Sequence, residues 1–204
     1  MKIKLFREFN KRIDLDICDE ISKNILSEIK TNIEKGNHTR LFEGSESVYS
    51  LDFSFTKDGV FNLLNDYSYL KPFIDECVDT DIYNAFYLNA LVIDDGNSVK
   101  SHTDESLTHF TYPITNRALK VSVLYLKVPD DMVGGELKLY LEDVTQSVKP
   151  EAGKIISFDG YPHSVDVTHT KHQRISLVLE SYYLMEESYS KIPTFNKKRH
   201  EKKV

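Results

Sequence analysis

Cysteine is scarce, with Cys18 and Cys77 the only two. Two thiols without metal-type spacing exclude a Cys-rich zinc site and a disulfide framework, and they fit a reducing compartment. With 8 Gly and 6 Pro, the chain cannot be collagen-like or a low-complexity tract. No run of about 18 apolar residues occurs, and the opening MKIKLFREFNKR lacks the apolar core of a signal peptide. The expectation is a cytoplasmic protein that does not enter membranes. A broad basic surface is missing as well. The formal charge is −6, and the segment Lys197 to Val204 holds five Lys/Arg against one Glu, so that segment is +4 and the rest −10. Nucleic-acid affinity rests largely on a basic footprint, so the acidic body disfavours such a partner. The tail over 193–204 reads as a solvated terminus. What is present is an ordinary folded composition, 40% hydrophobic and 28% charged over 204 residues. A chain of this length buries roughly 70% of its unfolded surface. A single domain over 1–192 is expected.

Residues Ile3 to Phe9 alternate as a strand does, and Ile17, Ile21, Ile25, Ile29 and Ile33 then recur every four positions. The stripe predicts an amphipathic helix of about four turns whose isoleucines are core packing, with Asp16 as N-cap and Gly36 as stop. Val48 to Phe55 alternates, Lys57-Asp58-Gly59 is a turn signal, and Val60 to Leu70 suits a short helix. From there β-branched and aromatic segments dominate: Ile82 to Ile93, Leu119 to Val128, Glu136 to Leu141, Lys154 to Phe158 and Ile175 to Tyr183. Short strands separated by turns after one long helix predict a mainly β fold with helical support. The expected core is a jelly roll (double-stranded β-helix) over about 81–185, buttressed by a strand and helices over about 1–80.

The loop expected after the Ile82 to Ile93 strand contains His102-Thr103-Asp104, and His163 follows 61 residues after His102. Two imidazoles and one carboxylate are the ligand set that binds Fe(II) on one face and leaves positions open for cosubstrate and O₂. An isolated H-x-D pair is common by chance, so the context matters. Arg174 opens the strand Arg174-Ile175-Ser176-Leu177-Val178-Leu179, where alternation puts Arg174 and Ser176 on one face. An inward Arg in an apolar strand is expensive unless an anion pairs with it, and a guanidinium beside a hydroxyl suits a carboxylate.

With these residues in order, the chain resembles the iron- and 2-oxoglutarate-dependent dioxygenases of the prolyl-4-hydroxylase-like superfamily. The resemblance runs through His102-Thr103-Asp104, then Arg117-Ala118-Leu119 with Leu124-Tyr125-Leu126 and Gly134-Gly135-Glu136-Leu137, then Pro150-Glu151-Ala152-Gly153-Lys154 with Phe158, and finally His163-Ser164-Val165 with Arg174-Ile175-Ser176. It implies Fe(II) held by His102, Asp104 and His163, the C5 carboxylate of 2-oxoglutarate on Arg174, and further contacts from Tyr125 and Ser176. Tyr87 and Asn89, on one face of their strand, are candidates for the same pocket. The resemblance also implies oxidative decarboxylation of 2-oxoglutarate to succinate and CO₂, with O₂ consumed and a C–H bond hydroxylated. Related halogenases replace the carboxylate with Gly or Ala, so Asp104 points to hydroxylation. Gly134, Gly135 and Gly153 are read as turn residues, and His109, His169 and His172 lie off the ligand positions.

The expected substrate is a small molecule or peptide, with a free or peptide-borne amino acid preferred. A cationic side chain is suggested by the acidic pairs Asp94-Asp95, Asp104-Glu105, Asp130-Asp131 and Glu142-Asp143. Selectivity is expected from loops at Glu105 to Thr115, Glu43 to Val48 and after Tyr183. Two alternatives stand beside hydroxylation: a catalytically silent jelly-roll module that binds a metal, ligand or partner, or a different oxidative outcome such as desaturation or nucleic-acid demethylation. The oligomeric state is left open.

Overall fold

The computed structural model describes residues 4–9, 12–35 and 48–197. Its first long element is the helix α1 (Leu15–Glu34), capped by Asp14, whose Oδ1 accepts from the N–H of Asp16 at 2.8 Å. The cap is therefore two residues earlier than expected, because Asp14 offers the free carboxylate while Asp16 already lies in the first turn. Ile21, Ile25 and Ile29 are buried, but Ile17 and Ile33 are 37% and 49% exposed. An i+4 stripe advances by about 40° per step on a helix of 3.6 residues per turn, so its two ends rotate out of the seam. The expected stop at Gly36 and the rim loop over 43–47 lie outside the described residues, as does the tail after Lys197.

The strands are β1 (Phe6–Glu8), β2 (Val48–Thr56), β3 (Ala85–Ile93), β4 (Asn97–His102), β5 (Lys120–Lys127), β6 (Val133–Gly134), β7 (Leu137–Leu141), β8 (Val144–Val148), β9 (Ile155–Asp159), β10 (His163–His169), β11 (Arg174–Tyr182) and β12 (Phe195–Lys197). They form a seven-stranded sheet in the order β1-β9-β5-β11-β3-β2-β12 and a smaller one in the order β4-β10-β7-β8, with β6 beside β10. The arrangement is the expected jelly roll. Two expectations shift. Val60 to Leu70 is a helix α2 (Val60–Asp66) followed by a 3-10 turn and a further helix α3 (Lys71–Cys77). The segment from Asn97 to His102, expected as loop, is a strand. Its sequence, Asn-Ser-Val-Lys-Ser-His, has only Val99 buried, so an edge strand of this kind carries almost no apolar alternation.

The large sheet has two different faces. Leu51, Phe53, Phe55, Phe86, Leu88, Ala90, Val92, Leu124, Leu126, Ile175, Leu177 and Leu179 pack with Ile21, Ile25, Ile29, Leu63 and Phe73 of the helices in one core. The alternate residues face the small sheet, where Val121, Val123, Leu137, Leu139 and Val165 belong to a second core. This second face encloses the site. Among the described residues no helix is long and apolar enough to cross a membrane.

Candidate metal centre and cosubstrate cavity

The end of β4 and the start of β10 are antiparallel neighbours, and His102 and His163 are register partners. Their rings lie 4.4 Å apart between centroids. In each, Nδ1 is used by the backbone: the Lys100 carbonyl lies 2.8 Å from His102 Nδ1, and the Tyr161 carbonyl 3.0 Å from His163 Nδ1. That contact holds the proton on Nδ1 and leaves Nε2 as the lone-pair atom, as a metal ligand requires. Both Nε2 atoms face Asp104, at 3.3 Å from Oδ1 for His102 and 3.5 Å from Oδ2 for His163. One ligand atom from each of the three residues falls within 4.8 Å of the others. Oδ2 of Asp104 is buried and accepts no hydrogen bond. Phe158 packs edge-on against His163 at 5.1 Å.

The electrostatics of the two imidazoles diverge. Burial works against protonated His102, but the hydrogen bond and charge of Asp104 outweigh it, and the pKa is raised. At His163 burial prevails and the pKa is lowered, with Asp104 opposing and His102 reinforcing the shift. A carboxylate and two imidazoles whose ligand atoms share so little space form the donor set of a hard-to-borderline divalent metal.

Above the cluster lies a cavity of about 310 Å³, lined among others by Tyr87, Asn89, Tyr125, Arg174, Ser176 and Glu180. Arg174 is 2% exposed. Its Nη1 donates to the Gly135 carbonyl at 3.0 Å, while its Nε has no partner. Among the described residues no carboxylate forms an ion pair with it. Burial lowers its pKa, with Tyr125 and Glu136 opposing. The guanidinium stands 5.3 Å from the Tyr125 ring. The Tyr125 hydroxyl is buried without a partner, and burial pushes its pKa up to about 12. Ser176 is the register partner of both Tyr125 and Leu91. An unpaired buried cation beside an unpartnered hydroxyl costs several kcal/mol unless an anion joins them. Gly134 and Gly135 do more than turn the chain. Both adopt φ near the left-handed region, at 76° and 74°, and a Cβ on Gly134 would lie 2.1 Å from the Val167 carbonyl, so glycine alone brings the Gly135 carbonyl to Arg174.

All six expected site residues thus meet in one cavity, and Tyr87 and Asn89 join them. Of the expected rim, only Glu105 and Ser106 of the segment Glu105 to Thr115 line the cavity, and none of the described residues after Tyr183 does. Among the acidic pairs, only Asp104-Glu105 lies there. Asp94 accepts from Gln173, Asp95 from the N–H of Thr170, and Asp131 from Thr170 and Lys171, so these acids tie surface loops together. His109 sits over the Ser106 carbonyl and exposed His169 beside Asp95, away from the triad. Glu180 is the cavity residue that sequence reading passed over, although it continues the face of Arg174 and Ser176 at the same parity.

Solved structures share this architecture. A prolyl-4-hydroxylase from Pseudomonas putida superposes with a TM-score of 0.55 over 89% of this chain and 94% of its own, at 16% identity. The chain has the prolyl-4-hydroxylase fold. A viral collagen prolyl hydroxylase from Paramecium Bursaria Chlorella virus-1, in a 2OG complex, gives 0.55 at 14% identity over 89% of this chain and 97% of that one. A Trichoplax adhaerens prolyl hydroxylase, solved with a hypoxia inducible factor oxygen degradation domain peptide, gives 0.55 at 16% identity over 91% and 86%. No protein-family model matches the sequence, and no curated protein matches it significantly. At these identities the likeness is one of fold.

Proposed function

We propose that the protein is an Fe(II)- and 2-oxoglutarate-dependent dioxygenase that hydroxylates a C–H bond. The reading is carried by one juxtaposition: a His-Asp-His cluster with a buried carboxylate oxygen that accepts no hydrogen bond shares a cavity with a buried Arg that forms no ion pair among the described residues. A divalent metal relieves the first and a dicarboxylate the second. His102 Nε2, His163 Nε2 and Asp104 would hold Fe(II), which supplies the oxidising power when 2-oxoglutarate and O₂ are bound. Arg174 would pair with the C5 carboxylate, and the Tyr125 and Ser176 hydroxyls would donate to it. Phe158, Val123 and Val165 keep the walls apolar and exclude water from the reacting atoms. The balance is 2-oxoglutarate, O₂ and R–H giving succinate, CO₂ and R–OH.

The deciding experiment measures succinate formed from 2-oxoglutarate under Fe(II) and air. Turnover that His163→Ala abolishes, together with stoichiometric Fe(II) binding, is the expected result; wild-type activity in that variant would remove the central claim. A silent scaffold of the same fold would show no turnover at all.

A free or peptide-borne amino acid is the proposed substrate class, consistent with a neighbour of this fold that holds a peptide. A basic side chain is the favoured version, because Glu105, although paired with Arg117 at 2.9 Å, lines the cavity beside Asp104, and among the described residues Arg174 is the one Lys or Arg in that lining. Turnover of a lysine- or arginine-bearing peptide should then weaken as ionic strength rises. Stimulation by neutral or anionic compounds alone would replace that version.

A further inference from the structure

Glu180 sits on the inner face of β11, three alternations from Arg174, and is 3% exposed. Its carboxylate accepts from the Ser106 hydroxyl at 2.7 Å, from the Ser106 N–H at 3.3 Å, and from the Tyr182 hydroxyl. Among the described residues no Lys or Arg forms an ion pair with it. A buried carboxylate held only by neutral donors is costly, so its place in the cavity wall calls for a reason.

The reason lies in how Asp104 is held. His102 and His163 are fixed by the ladder of the small sheet, where they are register partners. Asp104 is not: β4 ends at His102, and the next regular element is a single helical turn at Thr108–Thr111. Between them the chain is tied down at three successive residues, Asp104, Glu105 and Ser106, with Glu105 accepting from Arg117 Nε at 2.9 Å on the exposed side. The Asp104 carbonyl accepts from the Ala118 N–H at 2.9 Å, and two residues on, Ser106 gives both its N–H and its hydroxyl to the two oxygens of Glu180. A two-point grip on one carboxylate fixes orientation as well as distance. Tyr182 in turn steadies the acceptor from the same strand face.

We propose that Glu180 is a positioning residue that, through Ser106, sets the Asp104 carboxylate against the two imidazoles. The inference rests on the metal-centre reading above. Its test is a Co(II) titration followed by visible absorption, which reports both affinity and ligand geometry without turnover. Glu180→Met keeps the volume and removes the grip. It should weaken Co(II) binding by about 10- to 100-fold, the range typical of outer partners that orient metal ligands, and alter the visible bands. Glu180→Gln retains one acceptor oxygen for Ser106 and should fall between wild type and Met, while Ser106→Ala should weaken binding by about threefold. A role confined to packing would lower the melting temperature and leave Co(II) affinity and spectrum at wild-type values, and that result in Glu180→Met overturns the proposal. Should Glu180→Met fail to fold, Ser106→Ala decides: weakened binding supports the grip and unchanged binding overturns it. Failure of the wild-type protein to bind Co(II) would instead defeat the metal-centre reading itself.

Discussion

Neighbouring residues of the large sheet live in different surroundings. On β11, Ile175, Leu177 and Leu179 lie in the core shared with the helices, while Arg174, Ser176, Val178 and Glu180 line the cavity. On β3, Phe86, Leu88, Ala90 and Val92 do the former, and Tyr87, Asn89 and Leu91 the latter. The face toward the helices is a packed interior of apolar side chains, in which the small Ser122 and Ser181 hydroxyls and the Tyr69 hydroxyl are the buried polar atoms without a hydrogen-bond partner among the described residues. The face toward the small sheet keeps Arg174 Nε, the Tyr125 hydroxyl, Asn89 Oδ1 and Asp104 Oδ2 buried without a hydrogen-bond partner among the described residues. Unpartnered buried polar atoms gathered in one cavity are a cost borne by the free protein that a bound ligand would relieve. One sheet thus separates stability from chemistry by residue parity.

The largest effect that would break this separation comes from Arg174→Ala. If the cavity face serves a ligand, losing one buried charge-assisted pair costs about 3 to 5 kcal/mol. At about 1.4 kcal/mol per tenfold, the 2-oxoglutarate requirement for succinate formation should rise by roughly two orders of magnitude or more, with Fe(II) binding nearly intact. An unchanged requirement would mean that another cation holds the cosubstrate.

Leu177→Ala probes the opposite face three residues away. Leu177 is fully buried against the helices, so its truncation should cost about 2 to 5 kcal/mol in denaturant unfolding. At temperatures where the variant stays folded, its 2-oxoglutarate dependence should match wild type. A shifted dependence would show that packing under the helices is coupled to the cavity and that the two faces are not independent.

How much of this was legible follows from where each signal is written. The grouping of His102, Asp104, His163 and Arg174 in one cavity was readable because they are chemically unusual residues in a recognisable order. Ser176 followed from strand alternation with Arg174, and Tyr125 from the family resemblance alone. The strand character of Asn97 to His102 was not, since its polar residues carry no alternation and its pairing with β10 is a long-range event. Glu180 was hidden for a related reason: its meaning comes from Ser106, 74 residues away in sequence. Of the four acidic pairs only Asp104-Glu105 lines the cavity, because surface charge in sequence does not say whether a carboxylate faces a cavity or, as Asp131 does, caps a loop.

The finest test of the comparison is Tyr125→Phe, which removes one oxygen and nothing else. In the free protein the hydroxyl is buried and unpartnered, so deleting it removes a desolvation cost of about 1 to 3 kcal/mol, and the apoprotein should be as stable as wild type or more so. If that hydroxyl donates to the carboxylate that Arg174 binds, the same change should weaken 2-oxoglutarate by about 1.5 kcal/mol, or roughly tenfold, the lower end for a hydrogen bond to a charged group. The two shifts have opposite signs, and that is what distinguishes a ligand contact from a packing residue. A substitution that lowered stability and left 2-oxoglutarate binding unchanged would place Tyr125 with Leu177 as part of the interior, and would move the boundary between the two faces one row deeper into the sheet.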